Sequence, residues 1–217
     1  MIKLISFDFD GTLADSVDFC LEVFDIIFKK YMKEKAPSRE DIFGCFGMNE
    51  EGVLRHFMGK DYKEEYMKEF AEYHKELHGK KCPDVFPHIR ELLDFLKEKG
   101  VILTILTGRS AMTANISLEY LKIKDYFSFV QTGTSKTNDK SFLLKELMEK
   151  YSLTEKEVLY IGDGVSDVTS SRKANIECLS AAWAKSARME ALKEINSSLL
   201  FTSVKEMQNF LAEQFLK

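Results

Sequence analysis

The period of apolar positions changes once along the chain, near residue 83. Residues 2–7 are a short apolar run that predicts a strand. From Asp15 to about Gly79 the spacing is helical almost throughout. Leu21, Phe24, Phe28 and Tyr31 recur at steps of three and four, and Tyr62, Tyr66, Phe70, Tyr73 and Leu77 do so again. Aromatic stripes at that spacing predict helix packed on helix. Between them "FGCFGMNEEG", Phe43 to Gly52, is a glycine-punctuated connection.

Beyond Pro83 strand and helix patterns alternate. Pro87 opens a helix whose apolar residues are Ile89, Leu92, Leu93 and Leu96, and Gly100 ends it. "VILTIL" (Val101 to Leu106) predicts a buried strand, followed by a helix near 111–122 and a strand near "FSFVQ". A helix over 141–151 carries Leu144, Leu147, Met148 and Tyr151. Then come the strand and turn of "EVLYIGD", a helix over roughly 167–174, a strand near 176–181 and a final helix near 203–216. This alternation predicts an α/β fold, a doubly wound parallel sheet with helices on both faces. Residues 1–14 add one more strand to that sheet. The all-helical stretch between then reads as a smaller inserted domain over 15–83, set in a core of 1–14 and 84–217.

Composition narrows the class. The 217 residues are 45% hydrophobic, enough for a sizeable core. The formal net charge of -4, without an acidic or basic tail, gives no sign of a nucleic-acid partner. No run approaches a membrane span, and the first residues lead straight into a strand pattern rather than a signal sequence. Cys20, Cys45, Cys82 and Cys178 form no CxxC and no metal-like spacing, which suits a reducing compartment. The expectation is a soluble cytoplasmic protein.

In a doubly wound sheet, ligands bind outside the carboxyl ends of the strands. The first strand ends in Asp8 and Asp10 within "SFDFDGTLAD"; "VILTIL" ends in Thr107-Gly108-Arg109; "EVLYI" ends in Gly162-Asp163, with Asp167 four residues on. Lys140 opens the helix that precedes that last strand. Carboxylates, a hydroxyl and an ammonium group therefore converge on one edge. Crowded carboxylates stay ionised only when a cation shares the site, and an all-oxygen donor set suits Mg2+. Thr107 and Lys140 suit a phosphate. Asp8 and Asp10, at i and i+2 in extended chain, point to one side, so one can attack phosphorus while the other moves the proton. Each piece also has a structural reading: Asp8 and Asp10 as a turn, Asp163 and Asp167 as helix caps. Arg109 stands equally as a phosphate contact or a surface residue.

These residues resemble the haloacid dehalogenase superfamily in its phosphatase branch. "DFDGT" resembles the first motif, "LTG" (Leu106 to Gly108) the second, Lys140 the third and "GDGVSD" (Gly162 to Asp167) the fourth. The resemblance implies a Rossmann-like catalytic core with an α-helical cap domain inserted after the first motif. It also implies an aspartyl-phosphate intermediate. Asp8 would be nucleophile and metal ligand. Asp10 would be general acid/base and a metal ligand through its carbonyl, with Asp163 a further ligand and Asp167 supporting the site. Thr107, Gly108 and Lys140 would hold the phosphate. Lys136 competes with Lys140 for the third motif, but "KSFLLKELMEKYSL" starts a helix at Lys140 and resembles the phosphoglycolate phosphatase-like group, as do "GDGVSDV" and Trp183.

The expected activity is Mg2+-dependent hydrolysis of a small phosphorylated metabolite. A phosphomutase, or a non-hydrolysing phosphate-binding protein on the same fold, is the alternative. Selectivity among phosphate esters must come from the insert. There "GMNEEGVLR", Gly47 to Arg55, is the segment most able to reach the site, with Asn49 and Arg55 as candidate substrate contacts.

Overall fold

The computed structural model describes residues 1–133, 135 and 139–215. Six parallel strands, β1 (Leu4–Phe7), β2 (Ile102–Leu106), β3 (Phe129–Gln131), β4 (Val158–Gly162), β5 (Glu177–Ala181) and β6 (Leu200–Phe201), form one sheet in the order β3-β2-β1-β4-β5-β6. Strand order reverses at β1, which lies between β2 and β4, so the crevice beside its carboxyl end is the topological switch point.

Helices α1 (Val17–Met32), α2 (Arg39–Gly44), α3 (Glu50–Met58) and α4 (Glu64–Lys81) all fall between β1 and α5 (Ile89–Glu98). They are followed by α6 (Ala111–Tyr120), α7 (Ser141–Tyr151), α8 (Val165–Lys173), α9 (Met189–Asn196) and α10 (Val204–Gln214). Side chains alternate across the strands. Ile5, Phe7, Leu159 and Ile161 pack with Leu92 and Leu96 of α5 and Met207 and Leu211 of α10. Leu4, Val158 and Tyr160 point the other way, onto Leu144 and Leu147 of α7 and Val168 of α8. All four strand residues of β1 are buried, as a strand covered on both faces requires.

The four inserted helices pack through aromatic rings, in one core with the face of the sheet that α5 and α10 cover. Phe24 lies 4.7 Å from Phe70 and 5.9 Å from Phe28, ring centroid to centroid, which joins α1 to α4 as the stripes predict. Phe28 is fully buried, and such a ring contributes about 1.5–3 kcal/mol by leaving water. The two crossings between insert and sheet are tied together: Ala14 bridges Val85, and the Phe86 N–H donates to the Leu13 carbonyl at 2.9 Å.

The strands and helices expected from periodicity are present, with bounds shifted by a few residues. Short elements were not individually expected: α2 and α9, of six and eight residues, and β6, of two. No helix among the described residues is long and apolar enough to cross a membrane.

Candidate active site

The carboxyl ends of β1, β2 and β4 and the starts of α7 and α8 bring six of the expected residues to one cavity of about 270 Å3: Asp8, Asp10, Gly108, Lys140, Asp163 and Asp167 line it. Carboxylate oxygens of Asp8, Asp163 and Asp167 lie within 4.8 Å of one another. Gly11, at φ 74°, turns the chain directly after Asp10, and a Cβ there would collide with the Asp163 carboxylate. The glycine of "DFDGT" is therefore what lets the two motifs approach.

Lys140 is buried and bonds in three directions. Its Nζ lies 2.9 Å from Asp8 Oδ2, 2.8 Å from Asp167 Oδ1 and 2.8 Å from the Tyr160 hydroxyl. Burial disfavours its charge, but Asp167 and Asp8 outweigh that and push its pKa up. Tyr160 in turn donates to the Leu106 carbonyl at 2.9 Å, which ties the lysine to the end of β2. Asp167 spends its second oxygen on the Gly164 N–H, at 2.9 Å, and so caps α8 while it anchors the lysine.

One ammonium cannot balance these acids. Burial, with Asp167 and Asp10 adding to it, raises Asp8 to about 7 although Lys140 opposes the shift. Burial and the neighbouring Asp8 and Asp167 raise Asp163 well above the ordinary carboxylate range. A hard divalent cation fits this donor set: Asp8 and Asp163 would hold it, with Asp167 supporting them through its bonds to Lys140 and the Gly164 N–H.

Asp10 is held differently. Its carboxylate faces the Arg109 fork, with Nη2 at 2.6 Å from Oδ1 and Nε at 2.9 Å from Oδ2, and it accepts from Ser16 Oγ at 2.5 Å. Burial works against its charge, yet Arg109 and Ser16 hold its pKa below the usual value. Arg109 is only 3% exposed, so the surface reading of this residue is wrong. Its Nη1 lies 2.8 Å from Ser117 Oγ and 3.0 Å from His74 Nε2, and its guanidinium stands 4.6 Å from the Phe9 ring centroid.

Thr107 is buried at the end of β2, and its Oγ1 accepts from the Arg109 N–H at 3.2 Å. Gly108 packs backbone on backbone: a Cβ there would come within 3.0 Å of Gly47 Cα in the insert. Asn49 N-caps α3 through the Gly52 N–H at 2.9 Å and reaches the Gly133 carbonyl at 3.4 Å. The structure does not bring Arg55 to the cavity. It pairs with Glu51 at 2.8 Å and covers the Tyr62 ring at 4.1 Å on the exposed side of α3, where the helical i, i+4 spacing points it. Lys136 lies outside the described residues.

Several residues at the site carry little sequence signal. Glu50 reads as an ordinary first-turn acid, but it is buried and accepts from the Ser110 N–H at 2.7 Å and from the Thr113 hydroxyl. Tyr160 reads as strand filler, and its place one residue short of "GD" is the hint of a polar tip near the site. From the loop after β5, Ser186 and Arg188 also line the cavity.

A family model described as haloacid dehalogenase-like hydrolase matches residues 5–181, and the chain belongs to that family. Among its relatives is the pyrophosphatase PpaX of Oceanobacillus iheyensis, 24% identical over 225 residues that span 99% of each chain. Another is the phosphoglycolate phosphatase of Vibrio cholerae, 24% identical over 80% of this chain and 81% of its own. The crystal structure of a predicted phosphatase from Clostridium acetobutylicum matches the fold with a TM-score of 0.78, at 21% identity, over 98% of this chain and 99% of that one.

Proposed function

We propose that the chain is an Mg2+-dependent phosphatase that hydrolyses a small phosphorylated metabolite through an aspartyl-phosphate on Asp8. The observation that carries this reading is the buried cluster of Asp8, Asp163 and Asp167 around a single lysine, with a second acid, Asp10, two residues from the first. A binding protein gains nothing from that second acid, whereas a covalent phosphatase needs it. Family membership and the names of the relatives support the same reading.

In this mechanism an Asp8 oxygen attacks phosphorus and the bond to the ester oxygen breaks. Asp10, once it has left the Arg109 fork and taken a proton from solvent, gives that proton to the departing oxygen. Water then attacks the acyl phosphate, Asp10 takes a proton from that water, and the bond between phosphorus and Asp8 breaks. A magnesium ion bound by Asp8 and Asp163 would offset the charge on the phosphoryl oxygens. Lys140 positions Asp8 and adds positive charge beside it. Arg109 keeps Asp10 ionised, the form that accepts a proton, so Asp10 must leave the Arg109 fork when it acts as the acid.

The test is release of inorganic phosphate from p-nitrophenyl phosphate, phosphoglycolate, pyrophosphate and a set of sugar phosphates, with and without magnesium. Release is expected only with the metal. Asp8→Asn is expected to lower it by roughly 10³-fold or more while the unfolding temperature stays close to the parent's, because an amide oxygen is a poor nucleophile. A folded variant that keeps a substantial fraction of the parent rate would exclude the covalent path. Isomerisation of a sugar phosphate without net release would point to a mutase.

A further inference from the structure

We infer that Ser186 and Arg188 form a second oxyanion subsite at the rim of the cavity, so that the substrate carries a carboxylate or a second phosphate besides the phosphoryl group that is cleaved. The inference rests on the phosphatase reading and specifies its substrate.

Three cations line the cavity, and two are spent. Lys140 is taken by Asp8 and Asp167, and Arg109 by Asp10. Arg188 has no carboxylate partner among the described residues, and the Glu50 carboxylate, on the same cavity, is bound to Ser110 and Thr113 instead. Arg188 is an exposed residue at the rim, yet its guanidinium is placed. It lies 5.0 Å from the centroid of the Phe43 ring on α2, so it crosses from the sheet side of the cavity to the inserted helices.

Ser186 gives a second, independent sign. Its hydroxyl is buried and lacks any hydrogen-bond partner, although the residue lines the same cavity. An unsatisfied buried hydroxyl costs stability, so a ligand that accepts from it recovers that cost. A hydroxyl and a guanidinium two residues apart on one loop make a donor pair for a planar or tetrahedral oxyanion. The loop is anchored close to the reaction centre, because Trp183 Nε1 donates to the Thr12 carbonyl at 3.1 Å, directly after Asp10-Gly11. Phe24, Phe46 and Met48 supply an apolar wall to the same cavity, suited to the carbon portion of a small substrate.

The experiment compares two esters that differ only in the second group: phosphoglycolate, with a carboxylate, and 2-hydroxyethyl phosphate, with a neutral hydroxymethyl in its place. Pyrophosphate is a third arm, which separates a second phosphate from a carboxylate as the natural anion. The parent is expected to favour one or both anionic substrates. Arg188→Gln is expected to cut the ratio of kcat/KM values, anionic over neutral, by about tenfold or more, chiefly through KM. Arg188→Lys should keep part of the preference, and Ser186→Ala should lose a smaller part. A readout without turnover is calorimetric binding of phosphoglycolate and of pyrophosphate to Asp8→Asn, with and without Arg188→Gln, where the same weakening is expected. A parent with no preference for either anionic substrate, or an Arg188→Gln protein with the parent ratio and parent binding, overturns the subsite. If no ester is hydrolysed by the parent, the phosphatase reading fails instead, and the binding comparison still decides whether Arg188 holds an oxyanion.

Discussion

An ammonium group has three N–H donors, and Lys140 meets three acceptors: Asp8, Asp167 and the Tyr160 hydroxyl. Two of these are acids that the site needs close together; the third is a neutral support that passes the lysine's position on to the Leu106 carbonyl. Removing only that support separates positioning from charge. Tyr160→Phe is expected to cost about 1–3 kcal/mol of stability, because it leaves a buried N–H and a buried carbonyl short of a partner. It should lower kcat/KM by roughly tenfold, whereas Lys140→Ala should remove most of the activity. Urea unfolding and phosphate release on the three proteins check both halves. A Tyr160→Phe protein with parent activity would show that the two acids alone place the lysine. Asp8, Asp10, Lys140 and Asp163 could be placed at one edge from the sequence because each stands at a strand end or helix start that periodicity locates; Thr107 stands at such an end too but is not among the residues that line the cavity. Arg109 was not settled, since its burial depends on Asp10, 99 positions away, and no local pattern reports a partner at that separation.

Among elements, the contact of α4 with α6 joins the insert to the sheet domain through polar groups. His74 and His78, one helical turn apart on α4, both place Nε2 on Ser117 Oγ of α6, at 3.0 and 2.9 Å, with Arg109 on the same hydroxyl. Burial first, and then the Arg109 charge, lower the His74 pKa to about 2 and that of His78 to about 4. Both values lie below the 6.5 of a free imidazole, so as pH falls from 6.5 to about 4 the unfolded chain takes up two protons that the native state does not. Stability therefore falls with falling pH, by up to about 1.4 kcal/mol per pH unit for each imidazole. Below about 4 His78 titrates in both states and only His74 continues to contribute. Urea midpoints measured from pH 7 to 4.5 are expected to fall more steeply in the parent than in His74→Gln/His78→Asn, and equal slopes would show that the pair is not buried neutral. The helices themselves were readable from their aromatic and leucine stripes. The short α9 and β6 were not, because Met189, Leu192 and Ile195 give only three apolar positions, and a two-residue strand owes its pairing to β5 rather than to a pattern of its own.

For the molecule as a whole, the question is what keeps the insert against the sheet domain, given that only two chain crossings, near Asp15 and Pro83, join them covalently. Part of the contact is backbone on backbone, where Gly47 meets Gly108 and the Asn49 side chain reaches Gly133. Beside the apolar core that the two share, a charged tie is made by Glu50, a carboxylate from the insert set on the Ser110 N–H and the Thr113 hydroxyl at the start of α6. There the charge also meets the positive end of the helix. Charge-assisted bonds of this kind contribute about 1.5–3 kcal/mol each, so loss of the carboxylate should shift the balance between closed and open arrangements by roughly ten- to a hundredfold. Cys20 reports that balance: it lines the cavity beneath the insert, only 6% exposed, with Arg109 Nη2 3.2 Å from its sulfur. In a protein with Cys45, Cys82 and Cys178 replaced by serine or alanine, Glu50→Ala is expected to raise the rate of thiol labelling at Cys20 by about tenfold or more. Global stability measured in urea serves as the control, since opening by complete unfolding would raise labelling only in step with it. Glu50→Gln, which can still accept both bonds without the charge, should fall between Glu50→Ala and the parent. Labelling unchanged in both variants would mean that the glycine contacts and the α4–α6 histidines hold the insert closed without Glu50.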